Sequence, residues 1–410
     1  MISTRFGFPD LDRHFVTQLI GRVTSRKIGH LRSMRPMARQ RTPHLIVIGG
    51  FLGAGKTTAI QRLGDHLTEQ GIRLAVVTND QGSQLVDSHV MRACGFETRE
   101  VAGGCFCCRF DDLASSVSYL TSEMGPDVLI AEAVGSCTDL TATVTYPLSR
   151  TLGGRCSVAP LSVFVDPVRA RRVFGLDHGA RFSSDVEYIY KKQLEEADVL
   201  VISKCDLVSD EEINELGNAL AGAYSAADVV AVSSRDGLQL DQWFHRVLYG
   251  VQRERPTMTV DYATYAAGEA RLGWLNAALV LRAPVPVDAT DVLLRLADGV
   301  RLQLASEAIE VGHLKMTVVP ADAPHQAASV NLVRTDDAPQ AGARLAAPIT
   351  AGRLTVNLRG EADPARLRAA LEQAISQALH AERIDATIET IEAFRPDPPV
   401  PTHRVTVAAP

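Results

Sequence analysis

Apolar and polar positions divide the chain into regions of different texture. From residue 43 to about 250, short apolar runs alternate with amphipathic stretches. Leu45-Ile46-Val47-Ile48, Val128-Leu129-Ile130-Ala131 and Val199-Leu200-Val201-Ile202 are apolar at every position, as strands covered on both faces must be. The runs predict strands over 44–49, 72–78, 97–101, 127–131, 161–166, 198–202 and 228–232. Helical spacing predicts helices near 57–70, 111–123, 167–175, 183–196, 210–223 and 238–249. The result is an α/β fold with a doubly wound, mostly parallel sheet, right-handed crossovers and site loops at the strand carboxyl ends.

Beyond Arg253-Glu254-Arg255-Pro256, read as a linker, the pattern changes. Strands over 274–282, 313–319, 327–334, 352–358 and 384–392, with helices over 288–306 and 363–381, approximate βαββαβ. This predicts an α+β ferredoxin-like C-terminal domain over 257–395 with one extra strand. The Pro-rich stretch 396–410 is expected to be a disordered tail. Residues 1–42 carry nine Lys or Arg against Asp10 and Asp12. They are expected to form a basic, disordered extension, with Met34 and Met37 as alternative starts to Met1.

Composition narrows the function classes. The 410 residues are 46% hydrophobic and 22% charged with a net charge of -6, an ordinary globular balance without a nucleic-acid footprint. No apolar run reaches the roughly 18–20 residues of a bilayer span, so no membrane partner is expected and a cytoplasmic location is. Seven cysteines are too unevenly spaced for a disulfide scaffold. Three of them, Cys105, Cys107 and Cys108, crowd together, which points to metal or redox chemistry.

The first chemical motif follows the first strand. Gly50-Phe51-Leu52-Gly53-Ala54-Gly55-Lys56-Thr57 fits the phosphate-binding loop spacing G-x-x-x-x-G-K-[ST]. Gly50, Gly53 and Gly55 allow successive N–H groups, with those of Ala54 and Thr58, to form an anion nest at a helix N-terminus. Lys56 supplies charge to the β- and γ-phosphates, and the Thr57 hydroxyl can ligate Mg²⁺. After the second strand, Asn79-Asp80-Gln81-Gly82 places Asp80 near the γ-phosphate as a Mg²⁺-shell or water-positioning residue. After the fourth, Glu132-Ala133-Val134-Gly135 places Glu132 in the Mg²⁺ shell and the Gly135 amide at the γ-phosphate.

Ser203-Lys204-Cys205-Asp206 resembles the N-K-x-D base-reading motif of GTPases, with serine in the first place. Asp206 would accept hydrogen bonds from guanine, Lys204 would lay its stem along the base, and a backbone N–H of the Ser233 loop would meet the guanine carbonyl oxygen. The argument for GTP over ATP treats Asp206 as a buried carboxylate left unpaired by adenine.

Cys105, Cys107 and Cys108, in Gly104-Cys105-Phe106-Cys107-Cys108, suit Zn²⁺, with Co²⁺, Ni²⁺ and Fe²⁺ as alternatives. Three thiolates leave a fourth position for water, a partner's residue, Cys94 or Cys137. Cys137 reads equally as a buried small hydrophobe.

Together these motifs resemble the CobW-type P-loop GTPases, metallochaperone-like proteins related to UreG, HypB and MeaB. The resemblance implies GTP hydrolysis coupled to delivery of a transition metal to a client metalloprotein, with homodimerisation as a further expectation. Other readings are a GTP-switched metal sensor, an adaptor for metalloenzyme or cobalamin assembly, and a small-molecule kinase. Glu132-Ala133-Val134-Gly135-Ser136-Cys137 departs from the family's E-T-[TS]-G-x-A and places a thiol near the Mg²⁺ loop.

Overall fold

A computed structural model describes residues 42–80, 91–92, 94–380 and 383–408. The expected extension up to residue 41 lies outside them, as do Gln81, Gly82 and the side chain of Asp80.

The first sheet contains β1 (His44–Gly50), β2 (Leu74–Asp80), β3 (Glu97–Ala102), β4 (Val128–Glu132), β5 (Ser157–Val158), β6 (Ser162–Val165), β7 (Val199–Ile202) and β8 (Asp228–Ala231). Its order is β3-β2-β4-β1-β6-β7-β8, with β5 beside β1, and every pair is parallel. Leu45 to Ile48 are fully buried because β1 is central and helices cover both faces. The helices are α1 (Lys56–Glu69), α2 (Phe110–Tyr119), α3 (Tyr146–Leu152), α4 (Pro167–Val173), α5 (Ser184–Glu195), α6 (Asp210–Ala223) and α7 (Leu240–Tyr249). α6 starts where its residues dictate: Ser209 and Glu212 form a reciprocal capping box.

Two features depart from the sequence pattern here. A helix, α8 (Tyr262–Arg271), lies between the linker and the strand expected from 274, where the sequence pattern predicted no element. Asp261 caps it by accepting from the N–H groups of Ala263 and Thr264. Gly268 weakens its helical signature, yet a Cβ there would stand 2.5 Å from the Asp185 carbonyl oxygen, so close packing on α5 demands glycine. Arg255 of the linker is also held, its guanidinium donating to Asp198 and to the Glu196 and Ala197 carbonyls.

The second sheet is antiparallel, with order β12-β11-β10-β13-β9-β14. Its strands are β9 (Leu272–Val287), β10 (Val311–Pro320), β11 (Ala328–Leu332), β12 (Gln340–Ala341), β13 (Ile349–Glu361) and β14 (Asp385–Phe394). Helices α9 (Ala289–Ser306) and α10 (Pro364–His380) complete it. Without β11 and β12, the order β10-β13-β9-β14 is the ferredoxin-like arrangement. β9 serves two cores: Leu275, Ala277 and Leu279 face the second domain's helices, and Trp274 joins the core of the nucleotide-side domain.

The expected disordered tail is corrected. Residues 396–408 form an extended strap against the first domain. Its backbone N–H groups at Thr402 and Val405 donate to the carbonyls of Cys107 (3.0 Å) and Ala142 (2.8 Å). Arg404 Nε donates to Asp139 Oδ2 at 2.8 Å. Proline content suggested disorder, whereas these long-range backbone bonds and a buried ion-pair partner provide the order.

Candidate functional site

The phosphate loop joins β1 to α1 under tight steric limits. A Cβ at Gly50 would lie 2.4 Å from the Phe164 carbonyl oxygen of β6. Gly55 takes a φ of +88° as it opens α1, a left-handed conformation that favours glycine. Lys56 Nζ donates to the Gly50 carbonyl at 2.7 Å and the Phe51 carbonyl at 3.3 Å, so the ammonium lies over the loop itself. Thr57 Oγ1 donates to Glu132 Oε1 at 2.9 Å. Two hard oxygen donors from separate motifs therefore meet at the start of α1, a donor set that suits Mg²⁺. Thr58 is exposed.

The base-side motif touches the same loop. Ser203 Oγ lies 2.7 Å from the Ala54 carbonyl oxygen and 3.0 Å from that of Val165. Serine thus ties the motif to the phosphate loop with its shorter side chain. Lys204 Nζ donates to the Gly53 carbonyl (2.6 Å) and to Asp166 Oδ2 (2.9 Å). Asp166, which sequence reasoning did not select, also accepts from Arg334 Nη1 at 3.1 Å and caps α4 through the Arg169 N–H at 3.0 Å. Burial alone would raise its pKa, but Lys204 and Arg334 hold the carboxyl below the usual range.

Two base-side expectations change. Asp206 is exposed, so it keeps water when no guanine is present. Discrimination then rests on the hydrogen bonds formed rather than on a buried orphan charge. Asp206→Asn is expected to weaken guanine-nucleotide binding about 10- to 150-fold, the worth of a charge-assisted hydrogen bond. Titration with a fluorescent GDP analogue checks this, and unchanged affinity would remove Asp206 from the base site. The Ser233 N–H is already bonded to the Leu238 carbonyl at 3.1 Å, and its hydroxyl accepts from the Asp236 N–H. The backbone donor expected there is therefore engaged within its own turn.

The thiols sit at the far side of this sheet half, after β3. The sulfurs of Cys105, Cys107 and Cys108 lie within 4.8 Å of one another. The separations are 2.8 Å (Cys105–Cys107), 3.2 Å (Cys105–Cys108) and 3.8 Å (Cys107–Cys108). Hydrogen bonding with the thiols of Cys107, Cys108 and Cys137 pulls the Cys105 pKa well down. Their own thiols are pushed up, that of Cys108 to about 11.

Asn79 fastens this loop. Its Nδ2 donates to the carbonyls of Val101 (2.9 Å) and Gly104 (2.7 Å), and its Oδ1 accepts from the Phe106 N–H at 2.8 Å. The segment read as facing the γ-phosphate therefore also builds the thiol turn. The strap covers the outer side, where the Val400 N–H donates to Cys108 Sγ at 3.3 Å.

Of the two candidates for a fourth thiol, Cys94 is excluded by place: it is exposed and near Gln61 of α1. Cys137 is buried and near enough to Cys105 and Cys107 to shift both thiols. Behind it lie Tyr265 and Glu269 of α8. Tyr265 Oη accepts from the Thr138 N–H at 3.2 Å. Burial pushes the Glu269 carboxyl up to about 8. Neither residue carried a signal in the sequence, because both arrive from a helix more than a hundred positions away.

The model of the CobW/HypB/UreG nucleotide-binding domain matches residues 44–231. Those residues form a CobW-type P-loop nucleotide-binding domain. A protein named zinc chaperone CobW from Sinorhizobium sp is 33% identical over 185 residues, covering 40% of this chain and 51% of that protein. Another of that name from Pseudomonas aeruginosa is 26% identical over 263 residues, 55% of this chain and 66% of that protein. The zinc-regulated GTPase metalloprotein activator 1 of Dictyostelium discoideum is 26% identical over 201 residues, 42% of this chain and 41% of that protein. The chain thus spans about half to two-thirds of the length of the first two. The CobW-type match ends at β8, so α8, the ferredoxin-like domain and the strap lie beyond it. Among the described residues no helix is long and apolar enough to cross a membrane.

Proposed function

We propose that this chain is a GTPase that binds a transition metal, zinc foremost, at Cys105, Cys107 and Cys108 and passes it to a client metalloprotein. The observation that carries the reading is the meeting of three thiols on a turn fastened by Asn79, at the carboxyl end of the sheet that holds the phosphate loop. The relatives' names, zinc chaperone and zinc-regulated GTPase, support the metal and the nucleotide.

Mg²⁺ fits the hydroxyl of Thr57 and the carboxylate of Glu132, where it would neutralise phosphate charge. Lys56 would leave its loop carbonyls to contact the β- and γ-phosphates, and the Gly135 amide would meet the γ-phosphate. Asp80 remains a candidate for positioning water. Lys204 lies along the base with its ammonium held by Asp166, and Asp206 reads guanine. Asn79 at the end of β2 fastens the thiol turn and the segment after β4 carries Cys137, so a response of either to the γ-phosphate would reach the thiol site. Metal and nucleotide therefore bias one another's binding by the same factor.

Zinc titration of the full chain loaded with a non-hydrolysable GTP analogue tests the reading. Cys107→Ala is expected to weaken zinc binding by more than the roughly 10–100-fold that changes around a metal's ligands cost. Equal zinc affinity in wild type and variant, or GTP affinity indifferent to zinc, would sink the proposal.

A further inference from the structure

We infer that Cys137 is the fourth metal ligand, closing Cys105, Cys107 and Cys108 into a four-thiol site, and that the nucleotide acts on the metal through it. This rests on the reading of the three thiols as a metal site. C-x-C-C by itself leaves one tetrahedral position open. Here that position is filled from the buried side. Cys137 is 1% exposed, belongs to the same core as Cys105 and Cys107, and lies near enough to interact with both thiols. Tetrahedral zinc with bonds of about 2.3 Å holds its sulfurs about 3.8 Å apart. The three clustered thiols stand at 2.8–3.8 Å, so a metal among them would open the Cys105 pairs to about 3.8 Å and draw Cys137 into the group. On the outer side the strap presents the Val400 N–H to Cys108.

The position of Cys137 in the chain makes it more than a spare thiol. β3, which leads to Cys105, is separated from β1 by β4 and β2. Cys137 instead leaves β4, the direct neighbour of β1, only five positions after Glu132. The Ala133 N–H donates to the Ile48 carbonyl at 2.9 Å. At Gly135 a Cβ would stand 2.8 Å from the backbone nitrogen of Leu52, so the segment lies on the phosphate loop itself. Gln193 Nε2 then clamps the carbonyls of Gly135 (2.9 Å) and Cys137 (2.8 Å). So short a segment, gripped at both ends, has little slack. A shift at Glu132 and Gly135 on γ-phosphate loss is carried to Cys137, and through it to the metal. Opening the four-thiol set at this ligand lowers metal affinity, and metal bound there favours the nucleotide state that keeps it closed.

The test uses the full chain, reduced and first freed of metal. Zinc K-edge absorption of the wild type with one equivalent of zinc is expected to show four sulfur neighbours. Three sulfurs with one nitrogen or oxygen would overturn the proposal without any variant. In competition with a chromogenic chelator, Cys137→Ala and Cys137→Ser are expected to bind zinc at least about tenfold more weakly than wild type. Both should keep the metal-free wild type's thermal midpoint. The difference in zinc affinity between the GDP and GTP-analogue states should shrink in both. Unchanged affinity in these variants, with Cys107→Ala impaired, rejects the role of Cys137 and leaves the three-thiol site standing. If Cys107→Ala is also unchanged, the metal reading fails with it.

Discussion

Asp166→Asn is expected to destabilise the protein by about 3–5 kcal/mol, the range for removing one partner from a buried ion pair. Asp166 is 3% exposed, and its oxygens meet Lys204 at 2.9 Å, Arg334 at 3.1 Å and the Arg169 N–H at 3.0 Å. Asparagine keeps the shape and loses the charge, so the buried Arg334 guanidinium keeps only the more exposed Asp337 and Asp336 as partners. Arg334 belongs to the second domain and Lys204 to the base motif, so one carboxylate joins the two. Urea unfolding at neutral pH measures the effect, and a loss below about 1 kcal/mol would show that solvent or Asp337 compensates. The pH dependence has a fixed sign. The folded pKa is depressed, so Asp166 contributes stability above the unfolded carboxylate value of about 3.9. That contribution falls away as pH drops below it, and the gap between wild type and variant should narrow under acid.

Lys56→Ala is expected to lower GTP turnover about 10²–10³-fold, the cost of removing one donor aimed at developing charge. Lys56 is 7% exposed and rests on the Gly50 and Phe51 carbonyls, so its ammonium is already desolvated and near the phosphate position. Little reorganisation is needed when phosphate replaces those carbonyls, and preorganisation of this kind is where such donors gain their effect. Phosphate release at saturating GTP and Mg²⁺ checks this. Turnover within about threefold of wild type would remove Lys56 from the chemistry and weaken the GTPase reading. Zinc binding by the GDP-bound variant should persist, because Lys56 donates to the carbonyls of the phosphate loop.

Much of the site was legible because its motifs are local. The phosphate loop needs glycine where backbone enters the left-handed region or approaches another strand, and Gly50 and Gly55 meet those needs in sequence order. Leu45 to Ile48 and Val199 to Ile202 announced strands because central parallel strands are buried on both faces. The three cysteines were legible for the same reason: one turn carries them all.

What failed was long-range. Asp206 was argued as buried from its motif, but exposure depends on what surrounds the loop. The strap at 396–408 was read from its prolines, yet its order comes from Cys107, Ala142 and Asp139, distant in the chain. α8 was hidden by Gly268, a poor helix former that only the closeness of Asp185 explains.

The sequence alone determined the nucleotide-binding scaffold, the motif proposed to read guanine and the three-thiol turn, because each is specified by residues within one loop and its flanking strand. Only the tertiary structure decided that Cys137, Asn79 and the strap converge on that turn and that Asp166 joins the two domains. Those partners come from separate strands and helices, and their separation is set by sheet order and packing, which no local spacing records.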